Sequence, residues 1–208
     1  VNGNPIVTKY EYQNGIVQTK GRGILGFERK VAKCFVNNEC VRTQVDEYEY
    51  NTMGRYCILL PSSVKVYYGN NQLIKEIKST YKNFICNANT KVVTPLLVGS
   101  SEMEYDYDKQ GCIRKNTIVK YDYRSDNGDD DSYDSFVQMI KIATGYTDDI
   151  SVKNVHDCYY QEETTTEFNN DIDKWLINRP ALIKNVVSSK DNPKIGSVET
   201  FVYGNNNK

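Results

Sequence analysis

One phrase returns along this chain in degraded form: tyrosine, an acidic residue, tyrosine, two or three polar residues, glycine, then apolar residues. It runs Tyr10-Glu11-Tyr12-Gln13-Asn14-Gly15-Ile16-Val17, and again from Tyr48-Glu49-Tyr50 to Gly54-Arg55-Tyr56. A third copy runs from Tyr105-Asp106-Tyr107 to Gly111-Cys112-Ile113. Looser copies start at Tyr67 and Tyr121, and the chain closes on Phe201-Val202-Tyr203-Gly204. Tyr10, Tyr48, Tyr67 and Tyr105 stand 38, 19 and 38 residues apart. A beat near 19 with silent positions marks a structural repeat, and repeats point to architecture before catalysis.

Tyr-x-Tyr puts both rings on one face of an extended strand, because side chains alternate with a period of two. The polar pair and glycine then supply turn chemistry, and apolar residues resume beyond them. Each copy therefore reads as strand, tight turn, strand. A lone hairpin is marginal in water, whereas stacked hairpins share a buried face. Seventeen tyrosines against six phenylalanines suit a pleated, half-buried surface. The expected fold class is all-β, built of repeated antiparallel β-hairpins. No linker or composition break divides residues 1–208, so one continuous segment is expected. The beat reaches both ends without a cap, which predicts a piece of a much larger protein.

The formal charge of −1 gives no reason to expect nucleic acid or an anionic membrane as partner. No apolar run approaches the roughly 20 residues of a membrane span. Six cysteines without a Cys-x-x-Cys pair fit neither a disulfide scaffold nor a zinc site. If a three-residue loop centres on Asn37, Cys34 and Cys40 face each other and a bridge is geometrically open to them. The alternative is six half-buried thiols acting as small hydrophobes. Lys91–Val98 reads as a strand interrupted by Pro95, which predicts an edge position or a bulge. Ser135–Thr144 fits a helix or a strand, and its strand neighbours favour strand. A final hairpin is expected around Asp191-Asn192-Pro193.

Two further phrases carry a resemblance. The first is Gly21-Arg22-Gly23-Ile24-Leu25-Gly26-Phe27; the second runs from Thr164 through Asn170-Asp171 to Trp175-Leu176-Ile177-Asn178-Arg179-Pro180. On the tyrosine beat, these look like the rearrangement-hotspot (RHS, or YD) repeat proteins. The match is nearest to the bacterial toxin-complex B-component family, whose pattern is Gly-Arg-Gly-x-Leu-Gly-Phe followed by Asn-Asp-x-x-x-Trp-Leu-x-x-Arg. It covers most of residues 5–204. Asn178 departs from the family's usual glycine, a place where asparagine tolerates a left-handed backbone. The resemblance implies a long β-sheet spiralling into a hollow shell around a C-terminal toxin or effector. It implies as partners the rest of that shell, the enclosed toxin and other toxin-complex subunits, with a secreted or cell-surface bacterial location.

The residues singled out are structural: the tyrosines Tyr10, Tyr12, Tyr48, Tyr50, Tyr105 and Tyr107, the glycine phrase, and Trp175, Leu176 and Arg179. Three glycines around Arg22 permit a sharp turn or bulge, with Leu25 and Phe27 plugging the core. The competing reading of this phrase, a phosphate-cradling loop, requires a helix after it. Trp175 reads as a core anchor, with a ligand-stacking platform as the alternative. Glu102-Met103-Glu104 matches the Glu-x-Glu of many ADP-ribosylating toxins, but a solvated strand end explains it as well. His156-Asp157-Cys158 contains the only histidine, and in a strand its members would point to alternate faces. No cofactor is expected. The acidic run Asp126–Asp134 offers hard oxygen ligands for Ca²⁺, without EF-hand spacing. The expected function is a structural, non-enzymatic shell segment; the alternative is a surface adhesin that binds glycan or protein through exposed tyrosines.

Overall fold

A computed structural model describes residues 5–19, 23–53, 56–87, 92–106, 113–125, 137–169 and 179–203. Strands dominate it: β1 (Ile6–Gln18), β2 (Gly23–Val36), β3 (Glu39–Met53), β4 (Tyr56–Tyr68), β5 (Gln72–Asn87) and β6 (Val92–Tyr105). There follow β7 (Ile113–Ser125), β8 (Val137–Thr147), β9 (Tyr160–Phe168), β10 (Pro180–Ser189) and β11 (Asn192–Thr200). Among the described residues the one helical element is a 3-10 turn at Val155–Asp157. Strand order in the sheet repeats chain order, β1 to β11. The fold is all-β, and Ser135–Thr144 resolves as strand from Val137 onward.

Cα packing divides the chain into two units, and both contain stretches from more than one part of the sequence. The first comprises Val1–Thr80, Ser100–Asn116 and Asp148–Ile150; the second comprises Tyr81–Gly99, Thr117–Thr147 and Ser151–Lys208. In the first, Val31, Val45, Leu60, Val66 and Met103 are buried together with the polar Thr43, Glu76 and Asn116. In the second, Val155 and Cys158 join Ile118 and Ala143 in a small apolar cluster, against which Val152 packs. Both cores are thin, as expected of a sheet whose side chains are mostly half-buried.

Local sequence explains most turns. Asn37 and Asn38 hold φ of 51° and 65°, and Val36 pairs with Glu39, giving a two-residue hairpin turn with both central residues left-handed. This overturns the three-residue loop. A register shift then sets Cys34 opposite Arg42 and Cys40 opposite Phe35, and both thiols are free. The Tyr48 copy makes a hairpin, with Met53 paired to Tyr56; the Tyr67 copy makes another, with Tyr68 paired to Gln72. The Tyr10 copy does not. β1 passes straight through Asn14 and Gly15 with its pairing to β2 intact, Gln13 to Arg29 and Gly15 to Phe27. Asn14 takes the left-handed φ of 53°, but its amide is held by Glu28 Oε2 at 2.9 Å, and the Phe27 ring covers Gly15. Cross-strand contact outweighs local turn propensity there. Pro95 does not lie at an edge: β6 lies between β5 and β7, and Pro95 sits near the start of that interior strand. The last hairpin turns on Lys190-Asp191, with Ser189 paired to Asn192.

Candidate functional site

The tyrosine pairs behave as period-two geometry requires. Tyr10 and Tyr12 lie side by side on β1, ring centroids 6.4 Å apart, and Tyr12 meets Phe27 at 4.9 Å. The Lys30 ammonium stands 5.4 Å from the Tyr10 ring. All three rings are exposed, as is Tyr50, whereas Tyr48 and Tyr105 are half-buried. Burial, and then the neighbouring Glu76 carboxylate, push the Tyr105 phenol above its ordinary range. Tyr107 lies outside the described residues.

The glycine phrase forms a bulge. Ile16 pairs with Gly26 and Val17 with Ile24, so Leu25 is the extra residue. Gly26 has φ of +138°, and a Cβ there would stand 3.1 Å from a Leu59 methyl. Phe27, expected in the core, is 41% exposed and covers Gly15 instead. The segment after the phrase is strand β2, so the helix that a phosphate loop needs is missing. Gly21 and Arg22 lie outside the described residues, as do Trp175 and Leu176 of the second phrase and the acidic run Asp126–Asp134. Arg179 is described. Its carbonyl accepts the Asn169 N–H at 2.8 Å, its guanidinium stacks 3.9 Å from the Tyr203 ring, and the Tyr203 hydroxyl donates to the Pro180 carbonyl at 2.9 Å.

His156-Asp157-Cys158 is not on a strand. It forms and leaves the 3-10 turn between β8 and β9, and Cys158 is fully buried, its Sγ donating to the Asn154 carbonyl at 3.5 Å. Burial first, and then Asp157, push its thiol pKa up, the opposite of what an activated nucleophile needs. Glu102 is engaged across strands by Lys75 Nζ at 2.6 Å, and Met103 between the two carboxylates is buried. Among the described residues, no group of three or more His, Cys, Asp or Glu could hold a metal ion.

Sequence reasoning missed a polar ladder across β1 to β4. Lys33 Nζ donates to Glu11 Oε1 at 2.8 Å, and Arg29 Nη1 donates to Gln13 Oε1 at 3.0 Å. Glu47 Oε2 accepts from Ser63 Oγ at 2.6 Å and from Lys65 Nζ at 3.3 Å. Hydrogen bonding from Ser63, reinforced by Lys65, holds the Glu47 carboxyl below the usual carboxylate range. The turn after β4 flanks this ladder: Gly69 N–H donates to the Val41 carbonyl at 3.0 Å, and Thr43 Oγ1 donates to Asn70 Oδ1 at 3.3 Å. A cavity of about 550 Å³ opens between ladder and turn, over Val31 and Val45. Opposite charges spaced to meet across strands were the available signal, but reading them needs the register.

Against known structures, this meander aligns over most of its length with crystal structures of TcdB2–TccC3. The one without its hypervariable C-terminal region matches at TM-score 0.56 and 8% identity, over 92% of this chain. TcdB2–TccC3–Cdc42 matches at 0.57 and 9% over 91%, and TcdB2–TccC3 at 0.53 and 9% over 90%. The chain has the fold of part of TcdB2–TccC3. This chain spans 12% of the length of each. At such low identity the likeness to TcdB2–TccC3 is one of fold. No protein-family profile and no curated protein matches the sequence.

Proposed function

We propose that this chain is a wall segment of an RHS-type shell that encloses a toxin or effector in a bacterial toxin-complex or polymorphic-toxin protein. The observation that carries this reading is the sheet itself, a sequential antiparallel meander matching about an eighth of TcdB2–TccC3. Its mechanism is containment and requires no catalysis by this segment. Continuous strand pairing removes free edges, and long strands span a wall with little core of their own. Its partners are the neighbouring strands of the same shell, the enclosed C-terminal toxin and other toxin-complex subunits. The product is secreted or displayed at the cell surface. Among the described residues no helix is long and apolar enough to cross a membrane.

The experiment is a blot of source cells and their medium with an antibody raised against this chain. A product several-fold larger than 23.9 kDa supports the shell, and its presence in the medium supports secretion. A product near 23.9 kDa overturns the reading, because so short a chain cannot enclose another protein. A second reading, a surface adhesin, draws on the exposed Tyr10, Tyr12 and Phe27 rings. It predicts binding of the isolated chain to a glycan array, and Tyr12→Ser would remove that binding.

A further inference from the structure

The register between β8 and β9 sets Tyr146 directly opposite Tyr160, and Thr144 opposite Glu162. Tyr160 and Glu162 stand two apart on β9, so they share a face of the sheet with Tyr146. The two rings meet at 5.6 Å between centroids, tilted by 47°. Both phenols converge on one carboxylate. The Tyr146 hydroxyl donates to Glu162 Oε2 and the Tyr160 hydroxyl to Glu162 Oε1, each at 3.3 Å. All three residues lie within the second unit. The backbone around them is pinned: Gly145 packs against Cys158, and Gln161 Nε2 donates to the His156 and Cys158 carbonyls, both at 3.0 Å. The Lys190 N–H donates to the Tyr159 carbonyl, also at 3.0 Å.

Partial burial, and then the Glu162 carboxylate, push both phenols above their ordinary range, so each keeps its proton at neutral pH. A neutral phenol gives up an electron readily only when its proton can leave with it. Glu162 is placed to take that proton from either ring. Tyr160 is 36% exposed, which leaves the pair within reach of an oxidant in solution. Tyr10 and Tyr12 offer a contrast. Their rings lie 6.4 Å apart on a single strand, and the Lys30 ammonium stands 5.4 Å from the Tyr10 ring. A cation there opposes the removal of an electron. Tyr159 is not part of the pair, since its hydroxyl goes to Asp191 Oδ2 at 2.7 Å.

We propose that Tyr146 and Tyr160 form a modification site, coupled to dityrosine by a one-electron oxidant of the peroxidase class acting with hydrogen peroxide. Each ring loses an electron while its phenolic proton passes to Glu162 and on to water. The two phenoxyl radicals join by a C–C bond between ring carbons ortho to oxygen. Each of those carbons then releases its hydrogen as a proton, and each phenol oxygen regains a proton. The net change is the loss of one ring hydrogen from each tyrosine, with one hydrogen peroxide reduced to two waters. The link closes the connection from Thr147 to Tyr159 as a disulfide would. Only β8, β9 and that connection are needed, so the site is independent of whether the sheet belongs to a shell.

The test treats the whole chain, kept dilute, with a haem peroxidase and stoichiometric hydrogen peroxide, followed by trypsin and mass spectrometry. Tyr146 and Tyr160 fall in separate tryptic peptides, ending at Lys153 and Lys174. The expected product is a monomer with dityrosine fluorescence in which these peptides are joined, lighter by two hydrogens. Tyr146→Phe and Tyr160→Phe each keep the ring and should each remove the link, so one serves if the other does not fold. Tyr159→Phe, in the same peptide as Tyr160, should leave the link in place. Glu162→Gln keeps the shape of the side chain but takes no proton, and should slow linkage about tenfold or more. The proposal is overturned if the joined peptides do not form, or if the link survives Tyr146→Phe or Tyr160→Phe. It is equally overturned if Glu162→Gln links as fast as the parent chain.

Discussion

A methyl group added at Gly145 would lie 2.9 Å from the Cys158 Cβ and 3.1 Å from the Val155 Cα. That glycine is what lets the segment between β8 and β9 settle on the sheet. Gly145→Ala should cost about 1–3 kcal/mol through overpacking. It should also speed alkylation of Cys158, which is otherwise fully buried; unchanged labelling in native buffer would contradict the account. Nothing in the sequence near Gly145 announces this role, because the atoms it must clear come from a turn ten or more residues later. Glu47 gives a second prediction. Its folded pKa lies below its unfolded value, through Ser63 and then Lys65, so its contribution is present above the unfolded pKa and lost as pH falls through the folded one. Glu47→Gln should lower stability at neutral pH by about 0.2–1 kcal/mol, as exposed ion pairs do, and flatten the acid limb. Urea midpoints measured from about pH 3 to pH 7 test it, and a variant whose acid limb matches the parent's would refute it.

Turns show how far an element can be read without its partners. Asn37-Asn38 announces a hairpin, and its φ values of 51° and 65° explain the choice of asparagine. Asn38→Gly should therefore be neutral or slightly stabilising, while Asn38→Val should cost about 1–2 kcal/mol at a left-handed position. Urea denaturation of the two variants separates them, and equal midpoints would show that the turn does not depend on that geometry. The same turn chemistry misleads at Asn14-Gly15, where β2 offers Phe27 and Glu28 and the strand runs on. The glycine phrase was legible as a bulge, since Gly26 needs a backbone few residues adopt. The position of Phe27 was not, because its cover for Gly15 depends on register. The polar ladder stayed hidden for the same reason. Its members are 16 to 22 residues apart, and only pairing brings them together.

At the scale of the molecule, β1 and β11 stand at the two ends of the strand order, with apolar side chains such as Ile6 and Ile195 largely exposed. The chain expressed by itself should associate as concentration rises, and light scattering across a wide concentration range tests this. A clean monomer throughout would count against it. Strand order has another consequence, in time. From β2 to β11, each strand pairs with the one made just before it. Hairpins close in about 1–10 μs, while a ribosome adds only about 5–20 residues per second. Each strand can therefore dock on its predecessor before the next has emerged. The sheet is suited to assembly during translation, one hairpin at a time.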